Sequence, residues 1–155
     1  MTLLKTMRLA VLAWLLTCAP ALCAPALSPA DYVEIRNLYT LYSQALDFGA
    51  YDDVKALFTT DGTIASAASR HAARPIAGAP QVLEQKGVRH FITNIEITPT
   101  ESGASGECYG MVIAAIPAGK EALKGVPLFY RDTLVKTPRG WRFKAREFWS
   151  AKEAH

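Results

Sequence analysis

Between Ser28 and Gly49, apolar residues recur at steps of three and four, which is the spacing of one face of an α-helix. This stripe consists of Ile35, Leu38, Tyr42, Ala45 and Leu46. Ser28 stands before it as an N-cap, with Pro29 and Asp31 in the first turn, where both are favoured. Gly49 follows it as a stop signal. The pattern predicts an amphipathic first helix that faces the core.

Two shorter helices are predicted after the first. Tyr51 to Phe58 has apolar residues at helical spacing, and Ala79-Pro80-Gln81 opens a third helix that reaches about Lys86. Between these two helices, the Asp61-Gly62 turn leads into a short predicted strand at Thr63 to Ser66. The first half of the chain is therefore expected to be mainly helical.

The second half is rich in β-branched and aromatic residues, which favour strands. Four segments have this composition: Val88 to Thr98, Glu107 to Ile116, Leu128 to Lys136 and Trp141 to Trp149. The connections Pro99 to Gly106 and Pro138-Arg139-Gly140 are of hairpin type. Helices followed by hairpin-linked strands predict an α+β domain, in which three N-terminal helices pack in a curved antiparallel sheet.

The N-terminal residues have the pattern of a cleaved signal peptide. Lys5 and Arg8 precede an apolar run of 11 residues, Leu9 to Ala19, and Ala24-Pro25-Ala26 is a small-x-small cleavage site. The run is too short to span a bilayer. We therefore expect a signal peptide at 1–26, a single domain at 27–155 and a periplasmic or secreted protein. An uncleaved anchor and lipid attachment at Cys18 are the alternatives.

Charge and cysteine content narrow the function classes. The chain has 17 Lys and Arg against 14 Asp and Glu, and two of the basic residues lie in the leader. The remaining charges form no clustered basic stripe, so we expect neither a nucleic-acid partner nor, after signal cleavage, a membrane partner. Cys108 is the one cysteine outside the leader, which excludes an intrachain disulfide. No metal or cofactor motif is present in the sequence, and we expect neither group.

His90 and Asn94 are the candidate polar groups of the first long strand. The two-residue period of a strand puts His90, Ile92 and Asn94 on one face, and Phe91 with Thr93 on the other. A histidine among apolar neighbours suits the wall of a pocket. The alternative is a solvated or merely hydrogen-bonded histidine.

Asp47 is the second candidate because it stands at the end of the first helix. The helix dipole disfavours negative charge there, so the carboxylate is either exposed and tolerated or retained for a partner. If it is buried beside His90, the two would form a general base. Tyr42, which precedes Asp47 on the same helix, could add a phenol to that cavity or simply belong to the apolar stripe.

The last two strands carry further polar candidates. Tyr130 and Asp132 share one face of their strand, and Arg131 and Thr133 share the other. Arg146 lies near the end of the last strand. Parity alone does not tell which of these faces is turned inward.

Several short strings occur in an order that is similar to a known family. They are Ile35-Arg36-Asn37-Leu38-Tyr39, Tyr42 with Ala45-Leu46-Asp47, Leu57-Phe58-Thr59-Thr60-Asp61-Gly62, Arg89-His90-Phe91 with Asn94, Tyr130-Arg131-Asp132, and Gly140-Trp141-Arg142-Phe143 with Arg146. Together, over residues 28–149, they resemble SnoaL-like domains of the nuclear-transport-factor-2-like superfamily.

The resemblance implies a cone-shaped α+β barrel with a deep, mostly apolar cavity, often in a dimer. The superfamily includes scytalone dehydratase, ketosteroid isomerase, limonene epoxide hydrolase and polyketide cyclases, which use cavity Asp, His and Tyr residues for cofactor-free proton transfer. The resemblance to the dehydratase assigns the acid–base pair to Asp47 and His90. The residues expected to bind the substrate are Tyr42, Asn94, Tyr130 and Arg146.

The chain departs from the dehydratase pattern at two places. The pattern has a second cavity histidine at the end of the next strand, where this chain has Ala114-Ala115-Ile116. The pair of small polar residues on the fourth strand is also not matched around Phe129 to Thr133. The resemblance therefore does not transfer the dehydratase substrate to this chain.

Three functions follow as hypotheses. The first is an exported, cofactor-independent dehydratase or isomerase that acts on a small apolar or polycyclic molecule through Asp47 and His90. The second is a non-catalytic ligand-binding module on the same fold. The third is an assembly or accessory module whose exposed sheet face mediates contacts. A homodimer is compatible with all three functions.

Overall fold

The computed structural model describes residues 26–66, 73–79, 87–114 and 125–150. The predicted signal peptide at 1–26 lies outside the described residues except for Ala26, and the predicted third helix lies outside them except for Ala79. Within the described ranges, no helix combines the length and the hydrophobicity needed to cross a membrane.

The described residues form two α-helices and six β-strands. In chain order they are α1 (Pro29–Asp47), α2 (Tyr51–Ala56), β1 (Phe58–Ser66), β2 (Arg74–Pro75), β3 (Val88–Thr100), β4 (Gly103–Ala114), β5 (Gly125–Thr137) and β6 (Gly140–Ser150). A single 3-10 turn at Ile76–Gly78 follows β2. The predicted α+β class is confirmed, while the expected third α-helix is not among these elements.

The sheet is mixed, which corrects the prediction of an antiparallel one. Its strand order is β2-β1-β6-β5-β4-β3. All neighbours are antiparallel except β1 and β6, which run parallel. The hairpin-type connections in the sequence concern only β3 to β6. These connections do not determine that β6 pairs with β1, or that the two strands are parallel.

The junction of α2 and β1 lies earlier than predicted. The helix ends at Ala56 and the strand already begins at Phe58, five residues before the predicted Thr63. Phe58 pairs with Phe143 of β6, whose N–H donates to the carbonyl of Leu57 at 3.0 Å. Phe58 is buried in the core, so packing and a strand hydrogen bond outweigh the helical spacing of this segment.

Helix α1 packs its apolar stripe against the inner, concave face of the sheet. The buried side chains of α1 include Ile35, Leu38, Tyr39, Tyr42 and Leu46, and those of the sheet include Phe58, Cys108, Tyr130, Leu134, Trp141 and Phe143. These residues form one continuous core cluster. The sheet therefore curves around α1, as the α+β pattern requires.

The start of α1 is fastened to the β5–β6 turn through Asp31. Its carboxylate accepts hydrogen bonds from Ser28 N at 2.9 Å, Lys136 Nζ at 2.7 Å and Trp141 Nε1 at 2.8 Å. Glu34 Oε1 also accepts from the backbone N of Trp141 at 2.7 Å. The predicted N-cap is therefore also a tertiary anchor for the helix.

These contacts predict that stability falls in acid. The hydrogen bond from Lys136, followed by those from Ser28 and Trp141, holds the pKa of Asp31 well below its ordinary value of 3.8. A lowered pKa adds stability above the unfolded-state pKa, and that contribution is lost as pH falls below about 4. In urea unfolding, Asp31→Asn should be less stable than wild type at pH 7, and the gap should narrow towards pH 3. The exposed turn variant Glu101→Gln is the control. A gap that does not change with pH would contradict the prediction.

Candidate active site

Asp47 and His90 are in direct contact. Nδ1 of His90 lies 2.7 Å from Oδ1 of Asp47. The backbone N–H of His90 donates to both carboxylate oxygens, at 3.0 and 3.2 Å. The exposed fractions of the two side chains are 8% for His90 and 13% for Asp47. The carboxylate at the end of α1 is therefore bound to a partner. This is one of the two alternatives that the sequence left open.

This contact fixes the orientation of the imidazole. Because the Asp47 carboxylate can only accept, Nδ1 must carry the hydrogen that it donates. The lone pair of the neutral ring is then at Nε2. The contact with Asp47 does not involve Nε2. The arrangement can therefore act as a general base at Nε2.

The pair sits where α1 meets the open edge of the sheet. β3 is the last strand in the sheet order, so within the described residues the N–H and C=O groups on its free edge have no strand partner. Side chains of α1 satisfy two of them. Asp47 accepts from the N–H of His90, and Arg36 Nη2 donates to the carbonyl of Ile95 at 3.2 Å. Helix and edge strand thus hold each other in register.

The wall beside His90 is apolar. By strand pairing, His90 lies opposite Val112 on the inner face, and Ile92 lies opposite Gly110, which is followed by Leu128 on β5. Ile92 and Leu128 are partly buried and pack against the core. A base in these surroundings faces hydrocarbon side chains, as in the usual lining of small-molecule sites.

Asn94 does not share the face of His90, which corrects the prediction. A bulge between Thr93 and Glu96 breaks the two-residue period, and Asn94 itself has a positive φ of 54°. Its side chain is exposed and accepts a hydrogen bond from Thr93 Oγ1 at 2.6 Å. After the bulge it is Ile95 that packs against the core.

Tyr42, Tyr130 and Arg146 do come together, in a cluster that lies within the core. The guanidinium carbon of Arg146 lies 4.1 Å from the ring centre of Tyr42, 4.5 Å from that of Tyr130 and 5.2 Å from that of Tyr39. The Arg146 side chain is 0% exposed. The cluster is therefore packed into the domain, whereas the His90 pair keeps some exposure.

Asp132 is the partner of Arg146 and was not assigned to the site from the sequence. Nε of Arg146 lies 2.9 Å from Oδ1 of Asp132, and Nη2 donates to Oδ2 at 3.1 Å. Burial raises the pKa of the Asp132 carboxyl, and the charge of Arg146 opposes that shift. Nη1 of Arg146 has no hydrogen-bond partner within the described residues.

The two groups of polar residues are adjacent on the inner face. Gly110 leaves room for the Tyr130 ring, since a Cβ there would lie 2.6 Å from Cε2 of Tyr130 and 3.4 Å from Cδ1 of Ile92. Ile92 and Gly110 therefore lie between His90 and the tyrosines. The charge of Arg146 is already matched by Asp132, and both side chains are fully buried.

Other chemistry receives little support from the described residues. Burial, as the main cause, raises the pKa of the Cys108 thiol to about 12, so the thiol stays protonated at neutral pH. No cluster of three or more His, Cys, Asp or Glu side chains within the described ranges could hold a metal ion.

Described residues line two clefts away from the Asp47–His90 pair. One, of about 460 Å³, lies between α1 and α2 and is lined by residues that include Leu41, Phe48 and Leu57. The other, of about 320 Å³, includes Lys55 and Arg139. The lining of neither cleft contains Asp47 or His90.

A curved mixed sheet that packs around a helix is the architecture of nuclear-transport-factor-2-like α+β domains. The family model of the SnoaL-like domain matches residues 28–147. The chain belongs to the SnoaL-like domain family. No curated protein matches it.

Solved structures share the fold. An NTF2-like protein with a cystatin-like fold from Novosphingobium aromaticivorans is 23% identical, over 81% of this chain and 84% of that one, with a TM-score of 0.69. A candidate scytalone dehydratase from the same organism is 23% identical over 79% and 85%, with a TM-score of 0.67. ActVI-ORFA from Streptomyces coelicolor is 24% identical over 78% and 97%, with a TM-score of 0.68.

The buried ion pair allows a stability prediction with an internal control. Asp132→Asn leaves the charge of Arg146 buried without a partner and should cost about 3–5 kcal/mol in urea unfolding. The double change Asp132→Leu/Arg146→Met removes both charges and should be more stable than the single variant.

The outer-face pair of Glu107 and Arg131, joined at 2.8 Å between the neighbouring strands β4 and β5, provides the control. Both side chains are largely exposed, so Glu107→Gln should cost less than about 1 kcal/mol. A cost below about 1 kcal/mol for Asp132→Asn as well would show that the buried pair does not stabilise the core.

Proposed function

We propose that this chain is an exported, cofactor-independent lyase or isomerase that moves a proton on a small, neutral, apolar molecule. The observation that carries the proposal is the hydrogen-bonded contact between Asp47 and His90 on the apolar inner face. Membership of the SnoaL-like family, whose members bind small molecules, supports it. The leader pattern at 1–26 supports export, which N-terminal sequencing of the exported chain would test.

In the proposed mechanism, His90 is the base and Asp47 orients it. The lone pair on Nε2 takes a proton from a carbon next to a substrate carbonyl, and the electron pair of that C–H bond moves towards the carbonyl oxygen. The Asp47 carboxylate stabilises the imidazolium that forms. In an isomerisation, His90 returns the proton to another carbon. In a dehydration, the electron pair expels a β-hydroxyl group, which takes the proton and leaves as water.

The charges of the inner face favour a neutral substrate. Within the described residues, the inner-face cations are Arg146 and Lys136, and each is already bound to a carboxylate, Asp132 and Asp31 respectively. No unmatched cation is left there to bind a phosphate or a carboxylate. Apolar side chains such as Ile92 and Leu128 instead favour burial of hydrocarbon surface.

The activity can be tested with 2-tetralone, a neutral bicyclic ketone with acidic hydrogens beside its carbonyl. In D₂O, NMR should show that the wild-type protein accelerates deuterium incorporation at that carbon. Asp47→Asn and His90→Gln should each slow this exchange by about 10²–10⁴-fold, because each change removes part of the general base. Urea unfolding should show that both variants remain folded.

Asp53→Asn is the matched control, since Asp53 is an exposed carboxylate on α2. It should exchange 2-tetralone at the wild-type rate. A wild-type exchange rate in both Asp47→Asn and His90→Gln would refute the role of His90 as the general base. Binding of the ketone without exchange in the wild-type protein would favour the non-catalytic module instead.

A homodimer belongs to the same proposal, because the outer face of the sheet carries a large apolar patch. Tyr109 is 57% exposed, Phe91 54% and Met111 38%. Phe129 lies between Tyr109 and Trp149, with ring centres 5.5 and 4.7 Å away. These five residues define the aromatic patch. Contiguous patches of this kind are characteristic of protein interfaces, and a second copy presents the same apolar surface.

Light scattering can test the dimer. The double change Phe91→Asp/Tyr109→Asp places charge in the aromatic patch and should convert a dimer into a monomer. Leu41→Asp is the control, since Leu41 is 49% exposed but lies on α1, away from the sheet. A wild-type protein that is monomeric at all concentrations tested, or a dimer that survives the double change, would refute this interface.

A further inference from the structure

Arg89 links the end of α1 to the start of β3. Its Nη1 donates to the carbonyl of Val88 at 2.7 Å and to the carbonyl of Asp47 at 3.3 Å. The guanidinium carbon lies 5.7 Å from the ring centre of Phe48, the residue that caps α1. One side chain thus bridges the backbones of the two segments that carry the acid–base pair.

The helix end needs such a contact. The last carbonyls of a helix have no partner within the helix and carry partial negative charge. The last turn of α1 has no basic residue, and Asp47 adds a full negative charge at this point. Arg89 supplies the missing positive charge and donor from β3.

We propose that Arg89 is a positioning residue for the Asp47–His90 pair. It holds the backbone of Asp47 at the β3 edge, so that the carboxylate meets both the N–H and the Nδ1 of His90. The consequence for turnover rests on the proposed function, whereas the positioning itself can be measured without any substrate. Arginine suits this role because Nη1 alone carries two hydrogens, enough for both carbonyls, while the planar charged group lies over the Phe48 ring.

The chain offers a matched control in Arg36. Arg36 also donates from a guanidinium nitrogen to a backbone carbonyl across the α1–β3 junction, to Ile95 at 3.2 Å. It lies 11 residues before Asp47 on α1, about 16 Å along the helix axis. Loss of Arg36 should loosen the same junction without disturbing the pair.

Amide hydrogen exchange provides the readout, because the His90 N–H is bound by Asp47. The N–H of Phe91 points the other way, towards β4, and serves as the reference within the same strand. In Arg89→Met, exchange at His90 should rise by about tenfold relative to Phe91, since the carboxylate loses its anchor. Arg89→Lys, which keeps the charge but not the planar group over Phe48, should give a smaller rise.

Arg36→Met should leave the ratio of His90 to Phe91 exchange at its wild-type value. An unchanged ratio in Arg89→Met would overturn the proposal. An equal rise in Arg36→Met would also overturn it, because the effect would then belong to the whole junction. If Arg89→Met does not fold, the ratio in Arg89→Lys decides between the same two results.

The outcome can be separated from that of the proposed function. Exchange at His90 requires no substrate, so it can rise in Arg89→Met whether or not the protein turns over 2-tetralone. If the protein is the proposed enzyme, Arg89→Met should also slow 2-tetralone exchange, by less than Asp47→Asn does. A wild-type rate in Arg89→Met together with a raised amide ratio would limit Arg89 to a structural role and overturn its role in positioning for catalysis.

Discussion

The packing of Arg146 among aromatic rings is the interaction on which the rest of the structure depends. The rings of Tyr39 and Tyr42 come from α1 and that of Tyr130 from β5, and the charge they surround is matched by Asp132. Because this contact joins α1 to the sheet at the centre of the core, it sets the position of α1 along its own axis relative to the strands. Asp47 lies five residues beyond Tyr42, about 7–8 Å further along the helix, and so reaches the edge of the sheet.

At that edge, the Asp47 carboxylate has two roles, one in the fold and one in the proposed chemistry. An edge strand has unpaired backbone groups that must be satisfied, and β3 has its His90 N–H satisfied by a carboxylate from α1. The same carboxylate binds Nδ1 of the imidazole and directs Nε2 away from it. The unfavourable position of Asp47 at a helix end is offset by His90 and by the nearby charge of Arg89.

Some of these features could be predicted from the sequence. The features that depend on strand register could not. The apolar stripe and the caps predicted α1, and an acid at a helix end together with a histidine on an apolar strand face pointed to Asp47 and His90. Asn94 was misplaced because a bulge reversed the two-residue period after Thr93. The pairing of Asp132 with Arg146 likewise depends on a register shift between Thr133 and Leu134. Bulges leave no clear periodic signal, and the parallel pairing of β1 with β6 leaves none in either strand.

In the proposed site, Asp47 holds His90 with its base at Nε2, facing the apolar inner side of the sheet. Long-range proton–nitrogen NMR on the histidine-labelled protein measures this directly, because it distinguishes the protonated ring nitrogen from the unprotonated one. In the neutral ring of the wild-type protein, the structure predicts hydrogen on Nδ1 and none on Nε2. A neutral ring protonated at Nε2 would contradict the account, since the lone pair would then face Asp47 and no base would face the substrate.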